Sequence, residues 1–202
     1  MIIALANYKS SVGKTTCAIN LAAALQKRGH AVRLWDLDGQ RDLATLGTAA
    51  GLQSVGTRAV SLAGHMKAAP ADFHLIECPP RREFESEVLL ALSACDRLIV
   101  PNECEYMMMR GLGNFGDTLQ AAQQRNPSLL WRALVTKFKP RQKKHLATFL
   151  ASSMPQFETI IRDSVWVADA PAYDKTVLDY KPRSAPARAF MALAEEVEQW
   201  QK

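Results

Sequence analysis

The segment Lys9-Ser10-Ser11-Val12-Gly13-Lys14-Thr15-Thr16 follows an apolar run, Ile2–Ala6, and opens a stretch of small and apolar residues. A strand, a turn and a helix starting at Lys14 would bring backbone N–H groups and the positive end of the helix onto one anion. Lys14 then reaches the β- and γ-phosphates of a nucleotide, and the Thr15 hydroxyl completes a magnesium shell. Ser10, Ser11, Val12, Gly13 and Thr16 supply the rest of the cradle. A strict Gly-x-x-x-x-Gly-Lys-Thr pattern misses this loop, because Tyr8 stands at its first glycine. Serines at 10 and 11 must avoid positive φ or accept a cost of about 1 kcal/mol each.

Two acidic segments come next. In Leu34-Trp35-Asp36-Leu37-Asp38-Gly39-Gln40, strand alternation would put Asp36 and Asp38 on one face, pointing at the phosphate site from the carboxyl end of a strand. In Phe73-His74-Leu75-Ile76-Glu77-Cys78-Pro79-Pro80, an apolar run ends in Glu77.

These residues need a scaffold that gathers strand ends. Short apolar runs alternate with helical stretches along the whole chain, which argues for parallel strands joined by crossover helices. Strands are expected at Ile2–Ala6, Ala31–Leu37, Phe73–Glu77, Arg97–Pro101, Leu130–Thr136 and near Glu158–Ile161. Helices are expected at Lys14–Arg28, ended by Gly29, and at Arg41–Leu46, Val60–Ala69, Glu83–Ala94, Tyr106–Arg125, Gln142–Met154 and Ala187–Gln199. The fold class is α/β, a doubly wound, mostly parallel sheet flanked by helices, with residues 1–202 as one domain. In the last helix Phe190, Leu193, Val197 and Trp200 form an apolar stripe opposite Glu195, Glu196 and Glu198. That acidic polar face suits docking on the protein's own sheet better than lying on a membrane.

With 202 residues, 48% of them hydrophobic, the chain can bury one sizeable core, and its net charge of +5 leans toward an anionic partner. Cys17, Cys78, Cys95 and Cys104 show neither a Cys-x-x-Cys pair nor histidines at ligand spacing, so reduced, buried thiols are expected. The apolar amino terminus lacks a basic segment before it and reads as a strand, giving a cytoplasmic expectation with no membrane partner.

Lys9 lies five residues before Lys14, and Lys-x-x-x-Gly-Lys-Thr-Thr resembles the deviant Walker A loop of the ParA and MinD positioning ATPases. The resemblance continues through Asp36-Leu37-Asp38 and through Glu77-Cys78-Pro79-Pro80, where the family ordinarily carries aspartate at position 77. It extends to Val100-Pro101-Asn102-Glu103-Cys104-Glu105-Tyr106 with Gly111-Leu112, and to Val167-Ala168-Asp169-Ala170-Pro171 and Tyr180-Lys181-Pro182-Arg183-Ser184. It implies the fold of P-loop NTPases, with ATP and Mg2+ as cofactors. It also implies a Lys9 that reaches the partner's ATP in a sandwich homodimer, as an arginine finger does. By the same resemblance Asp38 positions the attacking water, Asp36 supports the magnesium shell with Thr15 and Glu77, and Pro171 and the residues around Thr136 and Lys137 flank the adenine. The longer Glu77 implies either an adjusted site or slow turnover.

Lys137, Lys139, Arg141, Lys143 and Lys144 form one basic cluster, and Lys181, Arg183 and Arg188 a second. The resemblance implies nonspecific DNA binding by Lys139, Arg141, Lys143, Lys144 and Arg183 in the ATP-bound dimer, which would then be nucleoid-associated, and release when a ParB-type partner stimulates hydrolysis. The function expected is partition of plasmid or chromosomal DNA. The alternatives are a MinD-like or other cargo-positioning ATPase and a metabolic enzyme on the same scaffold.

Overall fold

The computed structural model describes residues 1–104 and 115–200. Its strands are β1 (Ile2–Leu5), β2 (Val32–Asp36), β3 (Ser54–Gly56), β4 (Phe73–Glu77), β5 (Arg97–Glu103), β6 (Leu130–Phe138) and β7 (Gln156–Arg162). The helices are α1 (Lys14–Lys27), α2 (Asp42–Ala49), α3 (Ala59–Ala68), α4 (Glu85–Ser93), α5 (Gly116–Arg125), α6 (Lys143–Leu150), α7 (Val165–Asp169), α8 (Val177–Tyr180) and α9 (Ala185–Gln199). The strands form one parallel sheet in the order β3-β2-β4-β1-β5-β6-β7. β1 is central, paired with β4 on one side and β5 on the other, so the loop leaving it emerges where the winding of the sheet reverses.

The two-residue period of the strands sorts the core into two layers. Ile3, Leu5, Leu34, Leu75 and Ile99 face α1 and α9, meeting Leu21, Leu25, Phe190, Leu193 and Val197. Ala4, Ala6, Trp35, Ile76, Leu98 and Val100 face α3, α4 and α5, meeting Leu62, Val88, Leu92 and Leu119. Strands buried on both faces lack polar alternation and read as continuous apolar runs, as parallel strands do.

The expected elements are present with small shifts of their ends. Helix α1 stops as the sequence indicates: Gly29 takes φ 95°, its N–H donates to the Gln26 carbonyl and the His30 N–H to Leu25 O, a Schellman ending. Three short elements were not expected: β3, α7 and α8. The helix expected over 106–125 is described only as α5, and Glu105, Tyr106, Met107, Met108, Met109, Gly111 and Leu112 lie outside the described residues. The apolar stripe of α9 packs on the protein's own layers, with Phe190, Leu193 and Val197 fully buried. Among the described residues no helix is long and apolar enough to cross a membrane.

Candidate phosphate-binding site

At the carboxyl ends of β1, β2 and β4 a cleft of about 540 Å³ is lined by loop residues Tyr8, Ser10, Ser11, Gly13, Lys14, Thr15 and Thr16. Asp38, Gln40 and Asp42 join from the β2 side, Glu77, Pro80 and Arg81 from β4, and Lys137 from β6. The loop obtains its turn from two residues in the left-handed region, Ser11 at φ 61° and Gly13 at φ 86°. A Cβ on Gly13 would meet nothing within 4 Å, so glycine is needed there for its backbone angle and not for space. Ser11 carries the strain that the sequence allowed for, while Ser10 avoids it.

Lys14 begins α1 yet is 95% buried, its Nζ donating to the Asn7 carbonyl at 3.2 Å. Burial lowers its pKa, and the neighbouring Glu77 carboxylate opposes that shift. This is a cation held inside the loop in want of an anion. Next to it the Thr15 hydroxyl donates to Glu77 Oε1 at 2.7 Å, while Glu77 Oε2 is buried with no hydrogen-bond partner. Desolvation pushes the Glu77 carboxyl up to about 7, against the Thr15 bond and the Lys14 charge. A hydroxyl beside a carboxylate with one orphaned oxygen is the hard-oxygen donor set that magnesium favours. Among the described residues no three His, Cys, Asp or Glu gather for a metal, so such an ion would take its other ligands from phosphate and water.

Asp36 does not share the cleft with Asp38. Strand β2 ends at Asp36, so alternation does not carry across to Asp38. The Asp36 side chain is fully buried, with Oδ1 accepting from the Asp38 N–H at 2.9 Å and Oδ2 from the Ala44 N–H at 2.9 Å. Its carboxylate holds the Asp38 turn and the first turn of α2; Asp38 alone of the pair lines the cleft.

Thr136 and Pro171, both expected at a base, line adjoining hollows that share Thr16 and Val167. The Thr136 hollow also takes in Gly13, Ile161 and Ser164, and the Thr136 hydroxyl donates to the Val12 carbonyl at 2.8 Å. Pro171 lies in the neighbouring hollow with Ile19, Asn20 and Leu46. The lining roles of Tyr8 and Arg81 were not expected; Lys137, expected beside the base, lines the phosphate cleft as well. Tyr8 fills the first-glycine position by turning its hydroxyl to Thr118 at 3.0 Å and its ring edge-on to Phe115.

The basic cluster divides. Arg141, Lys143 and Lys144 are exposed on the turn into α6, and Arg183 is exposed before α9. Lys139 pairs with Asp163 at 3.2 Å. Lys137, at φ 49°, turns to the loop and donates to the Ser11 carbonyl. It belongs to the phosphate cleft and not to the surface cluster.

The profile of the CobQ/CobB/MinD/ParA nucleotide binding domain matches residues 3–177. Chromosome-partitioning ATPase Soj of Thermus thermophilus is 33% identical, with 96% of this chain and 94% of that protein covered. Sporulation initiation inhibitor protein Soj of Bacillus subtilis is 27% identical, with 97% of each covered. Cobyrinic acid a,c-diamide synthase of Mycobacterium smegmatis, solved with ADP and magnesium, superposes with a TM-score of 0.75 at 24% identity, covering 100% of this chain and 95% of that one. With a buried lysine in a strained loop at the centre of a parallel sheet, and a profile spanning most of its length, the chain belongs to the CobQ/CobB/MinD/ParA nucleotide-binding family.

Proposed function

We propose that this protein is a ParA-like ATPase of DNA partition, which binds ATP with magnesium, closes into a sandwich homodimer, holds DNA without sequence preference and lets go on hydrolysis. The observation that carries the reading is the division of labour between two lysines. Lys14 is buried inside the loop and lines the cleft, whereas the Lys9 side chain is 48% exposed beside the loop and does not line it. A cation so placed suits phosphates presented by a second protomer.

In this reading the loop N–H groups and Lys14 hold the phosphates, Thr15 and Glu77 hold magnesium, and Asp38 orients the attacking water. Bound magnesium would neutralise charge on the phosphate oxygens during transfer. Thr136 and its hollow receive the base. Lys9 stabilises charge developing on the partner's terminal phosphate. Glu77 is one methylene longer than aspartate and its burial disfavours the charged form, which supports slow turnover that a ParB-type partner accelerates. The exposed Arg141, Lys143, Lys144 and Arg183 supply DNA contacts that dimerisation doubles, and binding through phosphates weakens steeply with salt.

Retention of the protein on DNA, measured with ATP–magnesium, with ADP and without nucleotide, tests the reading. Retention only with ATP is expected. Equal retention in all three conditions removes the switch, and none in any condition points to a cargo other than DNA.

A further inference from the structure

Four groups form a chain across the outside of the phosphate loop. Glu103, at the carboxyl end of β5, places Oε2 3.7 Å from Lys9 Nζ and Oε1 3.8 Å from Lys137 Nζ. Lys137 in turn donates from its ammonium to the Ser11 carbonyl. Two members of this chain, Ser11 at φ 61° and Lys137 at φ 49°, are non-glycine residues at positive φ, so that half of the bridge is held against local backbone preference. Glu103 is itself largely shielded, with 23% of its side chain exposed, while the lysines it faces are 48% and 43% exposed. One carboxylate therefore stands between a lysine of the loop and a lysine that lines the phosphate cleft.

We infer that Glu103 is a positioning residue that holds Lys9 and Lys137 beside the loop, and so sets how much ATP is needed to release Lys9 to a second protomer. The inference deepens the sandwich-dimer reading and rests on it for its consequence, but not for the contact itself. Lys9 cannot face a partner's phosphates and Glu103 at once, so each nucleotide-driven dimerisation must break the Lys9–Glu103 pair. Lys137 has no such journey: it already lines the cleft from its own protomer. Glu103 therefore restrains one mobile cation and steadies one fixed cation. Because both lysines are partly solvated, the restraint is modest, a few-fold effect and not an all-or-none block.

Two measurements on the full chain separate the contact from its consequence. In the nucleotide-free protein, amine acetylation followed by mass spectrometry reads each lysine. In Glu103→Gln, Lys9 and Lys137 are expected to react about threefold faster than in the wild type, while Lys27, paired with Asp179 at 2.7 Å, stays unchanged as the internal reference. Unchanged reactivity at Lys9 and Lys137, or equal acceleration at Lys27, overturns the inference. The ATP–magnesium concentration giving half-maximal dimer is then read by sedimentation velocity. Glu103→Gln is expected to need about a third of the wild-type concentration, with ADP affinity changed by less than that factor. An unshifted midpoint, or an equal gain in ADP affinity, overturns the release role and leaves Glu103 a general field on the nucleotide. A wild type that stays monomeric at saturating ATP refutes the sandwich reading, and the acetylation result still decides whether Glu103 holds the lysines.

Discussion

At the β7 edge of the sheet, α9 buries Phe190, Leu193 and Val197 completely and gives Glu196 and Glu198 partners. Glu198 accepts from Arg28 Nε and Nη2 at 2.7 and 2.6 Å and faces His30 at 2.8 Å. Glu196 accepts the N–H groups of Glu158 and Thr159, capping the exposed edge of β7. Around the phosphate loop the choices run the other way. A lysine is buried, a carboxylate oxygen is left without a partner, and two non-glycine residues sit at positive φ. One region pairs the carboxylates of Glu196 and Glu198, and the other leaves an oxygen of the buried Glu77 without a partner. Local conflicts of this kind concentrate where a protein works, and a well-matched remainder of the fold must sustain them.

The contrast predicts that substitutions at α9 cost stability and spare the site, whereas substitutions at the loop do the reverse. Phe190→Ala should have the largest effect, a loss of about 3–5 kcal/mol of unfolding free energy from the emptied core position. Urea titration checks this, and nucleotide affinity of the folded fraction should match the wild type. A large loss of affinity in a folded Phe190→Ala protein would break the contrast.

Lys14→Ala comes next. Removing charge-assisted contacts to phosphate should weaken ATP–magnesium binding by roughly a hundredfold, measured by calorimetry. Stability should fall by less than about 1 kcal/mol, because the lysine bears a desolvation cost in the absence of nucleotide. Binding at the wild-type level would remove the phosphate assignment.

Ser11→Gly has the smallest expected effect and sharpens the strain argument. Relief of the left-handed serine is worth about 1–2 kcal/mol, offset by about 0.5–1 kcal/mol for the greater freedom of glycine in the unfolded chain. A net rise in Tm of about 2 °C is expected by thermal melting. A lower Tm would mean that the serine side chain contributes more than its backbone angle costs.

Much of this was legible in the residues, for stated reasons. β1, β2, β4, β5 and β6 are buried on both faces and so stand out as apolar runs, and Gly29 marks the end of α1 through its φ. β3 escapes because Ser54-Val55-Gly56 is too short for a period and largely exposed. α7 and α8 have five and four residues, too few for an apolar stripe to repeat. That Lys14, Thr15 and Glu77 meet in one cleft was legible because the loop and the strand end are each contiguous in sequence. Asp36 and Asp38 were expected on one face because the alternation rule was carried past the end of β2. Lys137 was placed both beside the base and in the basic cluster, and its turn toward the loop was not legible, since nothing in the sequence marks a lysine at positive φ. Glu103 was passed over because its role depends on two lysines brought to it from other elements of the sheet.

The central claim, that the loop is half of a site completed by a second copy of the chain, is tested most directly by sedimentation velocity of wild type and Lys9→Ala with ATP–magnesium and with ADP. The account predicts dimer only for wild type with ATP, and monomer in the other three samples. Lys9→Ala dimerising with ATP to the same extent as wild type would contradict it.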